Sequence, residues 1–68
     1  MRAAFIEGVR TFASDLEALE PGEAGPERRA AALATLSTIV GALTLARATK
    51  GDPISEDLIE AARAALAT

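Results

Sequence analysis

The sequence predicts an all-α fold of three antiparallel helices, at about residues 2–20, 26–50 and 55–67. Apolar residues recur at intervals of three and four, as on one side of a helix. Proline and glycine separate the periodic stretches, and the short connections between them favour antiparallel neighbours. No stretch alternates as a strand does. A chain of 68 residues forms at most one small domain.

The first predicted helix carries one continuous apolar stripe. Its members are Phe5, Val9, Phe12, Leu16 and Leu19. Their spacing places them on one side of a helix. Pro21 lacks an amide hydrogen and restricts the residue before it, so it predicts the end of this helix. The segment from Pro21 to Pro26 then predicts a tight connection.

The second predicted helix is apolar on two sides, with seventeen uncharged residues between Arg29 and Arg47. One side, the bulky face, comprises Leu33, Leu36, Ile39, Val40 and Leu43. Nearly opposite lies the small-residue face, which comprises Ala30, Ala34, Ser37, Gly41, Thr44 and Ala48, with Leu45 at its margin. A helix without a charged side is expected to be buried on all sides by other helices. Two neighbouring helices with one apolar side each would leave much of it exposed, so the pattern predicts self-association.

Independent signals mark where the second helix ends and the third begins. Arg47 and Lys50 suit the last turn of the second helix, and Gly51 suits the position just past it. Ser55 is the predicted N-cap of the third helix. Glu56, which follows it, favours the positive end of the helix dipole. The third helix has a single apolar side, formed by Leu58, Ile59, Ala62, Ala65 and Leu66.

Composition argues against several functional classes. The chain has no cysteine and no histidine, which excludes disulfides and disfavours zinc sites and general acid–base catalysis. We therefore expect no enzyme activity, no metal and no cofactor. The net charge is −3, with acidic ends on either side of a basic middle. This distribution predicts internal charge pairing rather than a basic surface for nucleic acid.

Specific motifs in the second half of the chain resemble those of the tetracycline-repressor (TetR) family of transcriptional regulators. Arg28–Arg29, Val40–Leu43 and Leu45–Ala48 resemble the penultimate helix of that family. Gly51–Pro53 and Ser55–Ile59 resemble its short link and the start of its last helix. The first helix resembles the helix that precedes this pair. The resemblance covers essentially the whole chain, which is then expected to be a single partial domain over residues 1–68 without the DNA-binding helix-turn-helix.

The resemblance implies a role for each helix. The last two helices would pair with those of a second subunit in a four-helix bundle. The residues expected at this homodimer interface are Ala34, Ser37, Gly41, Leu45, Leu58, Ala62 and Leu66. The corresponding helix of the family lines a wall of a small-molecule pocket. Phe5, Val9 and Phe12 are predicted to be core residues, with the pocket wall as the alternative. A heterodimer with a full-length homologue is also expected from the resemblance, whereas direct DNA binding is not.

The sequence thus predicts a dimerisation segment of a TetR-like, ligand-responsive repressor in the cytoplasm. Two other classes stay open. One is a free-standing helical module that docks on a different protein. The other is a small membrane peptide, although the seventeen-residue uncharged run falls short of the roughly 20 apolar residues of a typical span. No signal-peptide pattern precedes that run.

Overall fold

The fold comprises three helices in a computed structural model that describes residues 2–67. They are α1 (Arg2–Leu19), α2 (Pro26–Ala48) and α3 (Ile54–Ala67), and no strand occurs within that range. The predicted all-α class and helix count are confirmed. The observed helices α1 and α2 end one and two residues earlier than predicted, and α3 begins one residue earlier. The antiparallel order stays a prediction.

The chain divides into two compact units within α2, the first up to Leu36 and the second from Ser37. Buried residues are few. Among residues 2–67 they are Ala13, Ala32 and Leu36, and all three belong to the first unit. The first unit therefore has a small core in which alanine permits close approach of helices. The described part of the second unit has no fully buried residue, which is unusual for a segment that is apolar on two helices.

Two arginines at the start of α2 hold the end of α1. The Nε of Arg28 donates a 2.7 Å hydrogen bond to the carbonyl oxygen of Glu17, and its Nη1 donates to the carbonyl of Gly22 at 3.4 Å. Arg29 forms an ion pair with the Glu17 carboxylate at 3.1 Å. Carbonyls at a helix C-terminus lack helical partners, and a cation there also favours the helix dipole. The structure thus confirms the predicted pairing of the basic middle with an acidic neighbour.

The connection between α2 and α3 corrects two local predictions. Since α2 ends at Ala48, Lys50 lies in the following turn rather than in the last turn of the helix. Ser55 is not the N-cap, because its hydroxyl donates to the Asp52 carbonyl at 3.0 Å. The cap is Asp52, whose carboxylate accepts from the Ile54 amide at 2.9 Å. Pro53 explains the earlier start, because proline suits the first position of a helix.

Replacing Asp52 with alanine is expected to lower the free energy of unfolding by about 1 kcal/mol, since the Ile54 amide loses its cap. For a domain of this size, that change lowers the melting temperature by roughly 4–8 °C. Circular dichroism at fixed protein concentration measures it. The matched control is Ser55→Ala, for which we expect the smaller effect. A larger loss in Ser55→Ala than in Asp52→Ala would restore Ser55 as the cap.

Candidate interaction surface

The small-residue face of α2 is largely uncovered in the second unit. Ser37, Thr44 and Ala48 are exposed, Leu45 is 52% exposed, and Gly41 is partly exposed. A side chain added at Gly41 would meet no atom within 4 Å. Nothing in the single chain thus explains a glycine at this helix-interior position, where it costs about 1 kcal/mol relative to alanine. Close approach of a second helix would explain it.

A second apolar surface in this unit is an open groove between α2 and α3, which we call the α2–α3 groove. Its volume is about 480 Å³, and its lining comprises Ile39, Ala42, Leu43, Ile59, Ala62, Arg63, Leu66 and Ala67. Leu43 and Leu66 are 45% and 44% exposed. Large aliphatic side chains exposed next to one another are typical of a surface that binds another apolar surface.

The structure brings together only some of the predicted interface residues. Ala62 and Leu66 line the α2–α3 groove, whereas Gly41, Leu45 and Leu58 do not. Ser37 is likewise outside the groove, and Ala34 is an exposed residue of the first unit. Helical spacing places Ile39, Leu43 and Ile59 on apolar helix sides, but none of them is among the predicted interface residues. The sequence shows the helical spacing of these residues. It does not show that residues of two different helices line the same groove.

Charged side chains surround the part of this unit next to the connection. A concavity of about 540 Å³ shares Leu43, Ile59 and Arg63 with the α2–α3 groove. Its remaining lining comprises Ala46, Arg47, Lys50, Ser55, Glu56 and Glu60. In the part of the chain that the structure describes, the one side-chain ion pair is that of Arg29 with Glu17, so these charges remain available to a partner.

The stripe of α1 is also exposed. Phe5 is 73% exposed, Val9 40% and Phe12 45%. The predicted core packing of these three residues is therefore wrong for the single chain. The pocket-wall interpretation stays a prediction. The described residues include no group of three or more His, Cys, Asp or Glu that could hold a metal ion.

The helix α2 is long and apolar enough to cross a membrane by length and composition alone. Core helices of soluble proteins and signal sequences satisfy the same criterion, so it assigns no location. No protein-family model, characterised protein or solved structure matches this chain. The geometry of the exposed surfaces therefore carries the functional argument.

Proposed function

We propose that this chain is a helical association module that pairs with a second copy of itself through α2 and α3. The observation that carries the proposal is the second unit, which has no buried residue among those described and yet exposes Val40, Leu43, Leu45 and Leu66. Exposed apolar side chains concentrated on a small protein mark interaction surfaces. A core this small supplies about 3–5 kcal/mol, and association with a partner adds to it.

The small-residue face supports contact between two α2 helices. Gly41 has space around it, and Ser37 and Thr44 are small and exposed beside it. Residues of this size let helix backbones approach closely. The groove linings support antiparallel packing of α2 and α3, because Ile39 shares the groove with Leu66. The predicted interface residues Ala62 and Leu66 would then add apolar area from α3.

The parent function we propose is dimerisation of a TetR-like, ligand-responsive repressor in the cytoplasm, and it rests on the sequence resemblance. The chain would act without enzyme activity, cofactor or direct contact with DNA. A heterodimer with a full-length homologue would form through the same two helices, α2 and α3. The pocket wall would include Phe5, Val9 and Phe12.

The mass in solution tests self-association directly. We expect light scattering across a tenfold dilution series to give twice the 7.0 kDa mass of the chain at the higher concentrations. Circular dichroism of the same samples should show cooperative melting in buffer. A folded monomer throughout the series would remove the self-pairing proposal and favour the alternative module that docks on a different protein.

The second candidate is a membrane peptide, because α2 has the length and composition that crossing a membrane requires. The membrane-peptide candidate makes the opposite prediction about helicity, because a membrane segment would become helical only in detergent or lipid. The dimer proposal requires the same helicity in buffer alone. Circular dichroism with and without detergent separates the two candidates, since helicity confined to detergent would contradict the dimer.

A further inference from the structure

Besides the small-residue face, residues 2–67 expose two apolar surfaces, the stripe of α1 in the first unit and the α2–α3 groove in the second. We infer that α1 of one copy docks in the α2–α3 groove of a second copy, with Phe5, Val9 and Phe12 as its anchors. The inference rests on the proposed self-association and names the contact that forms it. It adds α1 to an interface otherwise assigned to α2 and α3.

The spacing of the α1 side chains fits this mode of binding. Phe5, Val9 and Phe12 follow one another at i, i+4 and i+7, the pattern with which an amphipathic helix enters an apolar groove. All three are at least 40% exposed, so their surfaces are available. Two of the three anchors are phenylalanines, whose large apolar rings are unfavourable in water. A contact can bury about 150–250 Å² of each phenylalanine side chain.

The groove offers a matching surface. Its lining is aliphatic apart from Arg63, and its volume of about 480 Å³ lies within the roughly 300–1,000 Å³ of typical binding pockets. Ile39, Leu43 and Leu66 supply large side chains around it. Aromatic rings against branched aliphatic side chains combine a large contact area with few rotatable bonds.

Charge favours the same occupant. Arg63 is the one charged residue in the lining of the α2–α3 groove. On α1, Asp15 lies three residues after Phe12, so it is a neighbour of that anchor on the helix surface. Neither Asp15 nor Arg63 takes part in an ion pair among residues 2–67. Docking of α1 with its C-terminal half next to Arg63 would bring these opposite charges together.

The contact is self-complementary when two copies use it. Each copy supplies one α1 and one groove, as an interface with twofold symmetry requires. Because Phe5 is 73% exposed and Phe12 45% exposed, the four phenylalanines would bury roughly 350–590 Å². That area is a substantial part of the roughly 1,200–2,000 Å² in a stable interface.

Mixing two variants of the full 68-residue chain tests the inference. The first, Phe5→Ala with Phe12→Ala, lacks the anchors but keeps the groove. The second, Leu43→Gln with Leu66→Gln, lacks the groove but keeps the anchors. We expect each variant alone to dimerise at least about tenfold more weakly than the unmodified chain. The mixture should regain association, because one intact anchor–groove contact can form between unlike copies.

The controls separate this inference from the proposed dimer. Thr11→Ala, an exposed change on α1 outside the anchors, should leave association unchanged. If the unmodified chain is monomeric, the proposed function fails and the inference fails with it. If the unmodified chain is dimeric and the anchor variant dimerises equally well, the proposed function stands and the inference is overturned. Loss of association in both variants without recovery on mixing also overturns it.

An independent measurement applies even if a variant fails to fold. In an equimolar mixture of ¹³C-labelled and unlabelled chain, isotope-filtered nuclear Overhauser spectra report only contacts between copies. We expect cross-peaks between the rings of Phe5 or Phe12 and the methyl groups of Leu43 or Leu66. Cross-peaks from those methyl groups only to Leu43 and Leu66 of the other copy would show that two grooves face each other, which overturns the inference.

Discussion

Replacing Leu36 with alanine is expected to abolish cooperative unfolding of the chain at 25 °C. Leu36 is 9% exposed and is the one large side chain that is buried among residues 2–67. Truncation of a buried leucine lowers the free energy of unfolding by about 2–5 kcal/mol. A domain of this size has only about 3–5 kcal/mol from its core. Urea titration followed by circular dichroism measures the loss.

The control for this change lies three residues earlier on the same helix. Leu33 is 39% exposed, so Leu33→Ala removes the same atoms from a much less buried position and should reduce stability less. Both variants require the same protein concentration, because association adds to apparent stability by mass action. Equal midpoints for the two variants would show that burial of Leu36 does not support the fold.

Replacing Gly41 with leucine is expected to weaken the dimer by about 1–3 kcal/mol, a rise of roughly 5- to 150-fold in the dissociation constant. A side chain at this position meets no atom within 4 Å in the single chain, and the helix itself gains from the loss of glycine. Any loss of association therefore arises between chains. Light scattering across a dilution series gives the dissociation constant, and circular dichroism shows that the helices persist.

Two further variants separate the size of the side chain from its effect on the helix. Gly41→Ala improves helix propensity but adds only a methyl group, so we expect it to retain association. Ala64→Leu adds similar bulk at an exposed position of α3, outside the predicted interface and the α2–α3 groove. If Gly41→Leu dimerises as well as the unmodified chain does, the small-residue face is not the contact between α2 helices.

The cap of α3 illustrates where sequence reasoning succeeds and where it stops. Both Asp52 and Ser55 have the chemistry of an N-cap, and Pro53 lies between them. The residue types correctly predict that a helix starts here, but the predicted N-cap, Ser55, is the wrong one of the two. The choice of Asp52 depends on the backbone path after Gly51, whose φ of +99° lies in the region that favours glycine. That path directs the Asp52 carboxylate to the Ile54 amide.

The candidate surface divides in the same way. The sequence placed the bulky face and the small-residue face on opposite sides of one helix. It did not show that Leu36 is buried while Val40 of the same face is 49% exposed. Nor did it show that Leu43 of α2 and Ile59 of α3 line one groove. Periodicity identifies the apolar sides of one helix, whereas the burial of a side chain depends on residues that are distant in the chain.

By itself, the sequence determined three helices, the two connections between them and the separation of a basic middle from acidic ends. These properties are local, because helical spacing, proline, glycine and charge act over a few residues. The tertiary structure decided that Arg28 and Arg29 hold the end of α1 through Glu17. It also decided that Leu36 is buried while the α2–α3 groove stays open. Those outcomes depend on packing between helices, which brings together side chains that no local pattern relates.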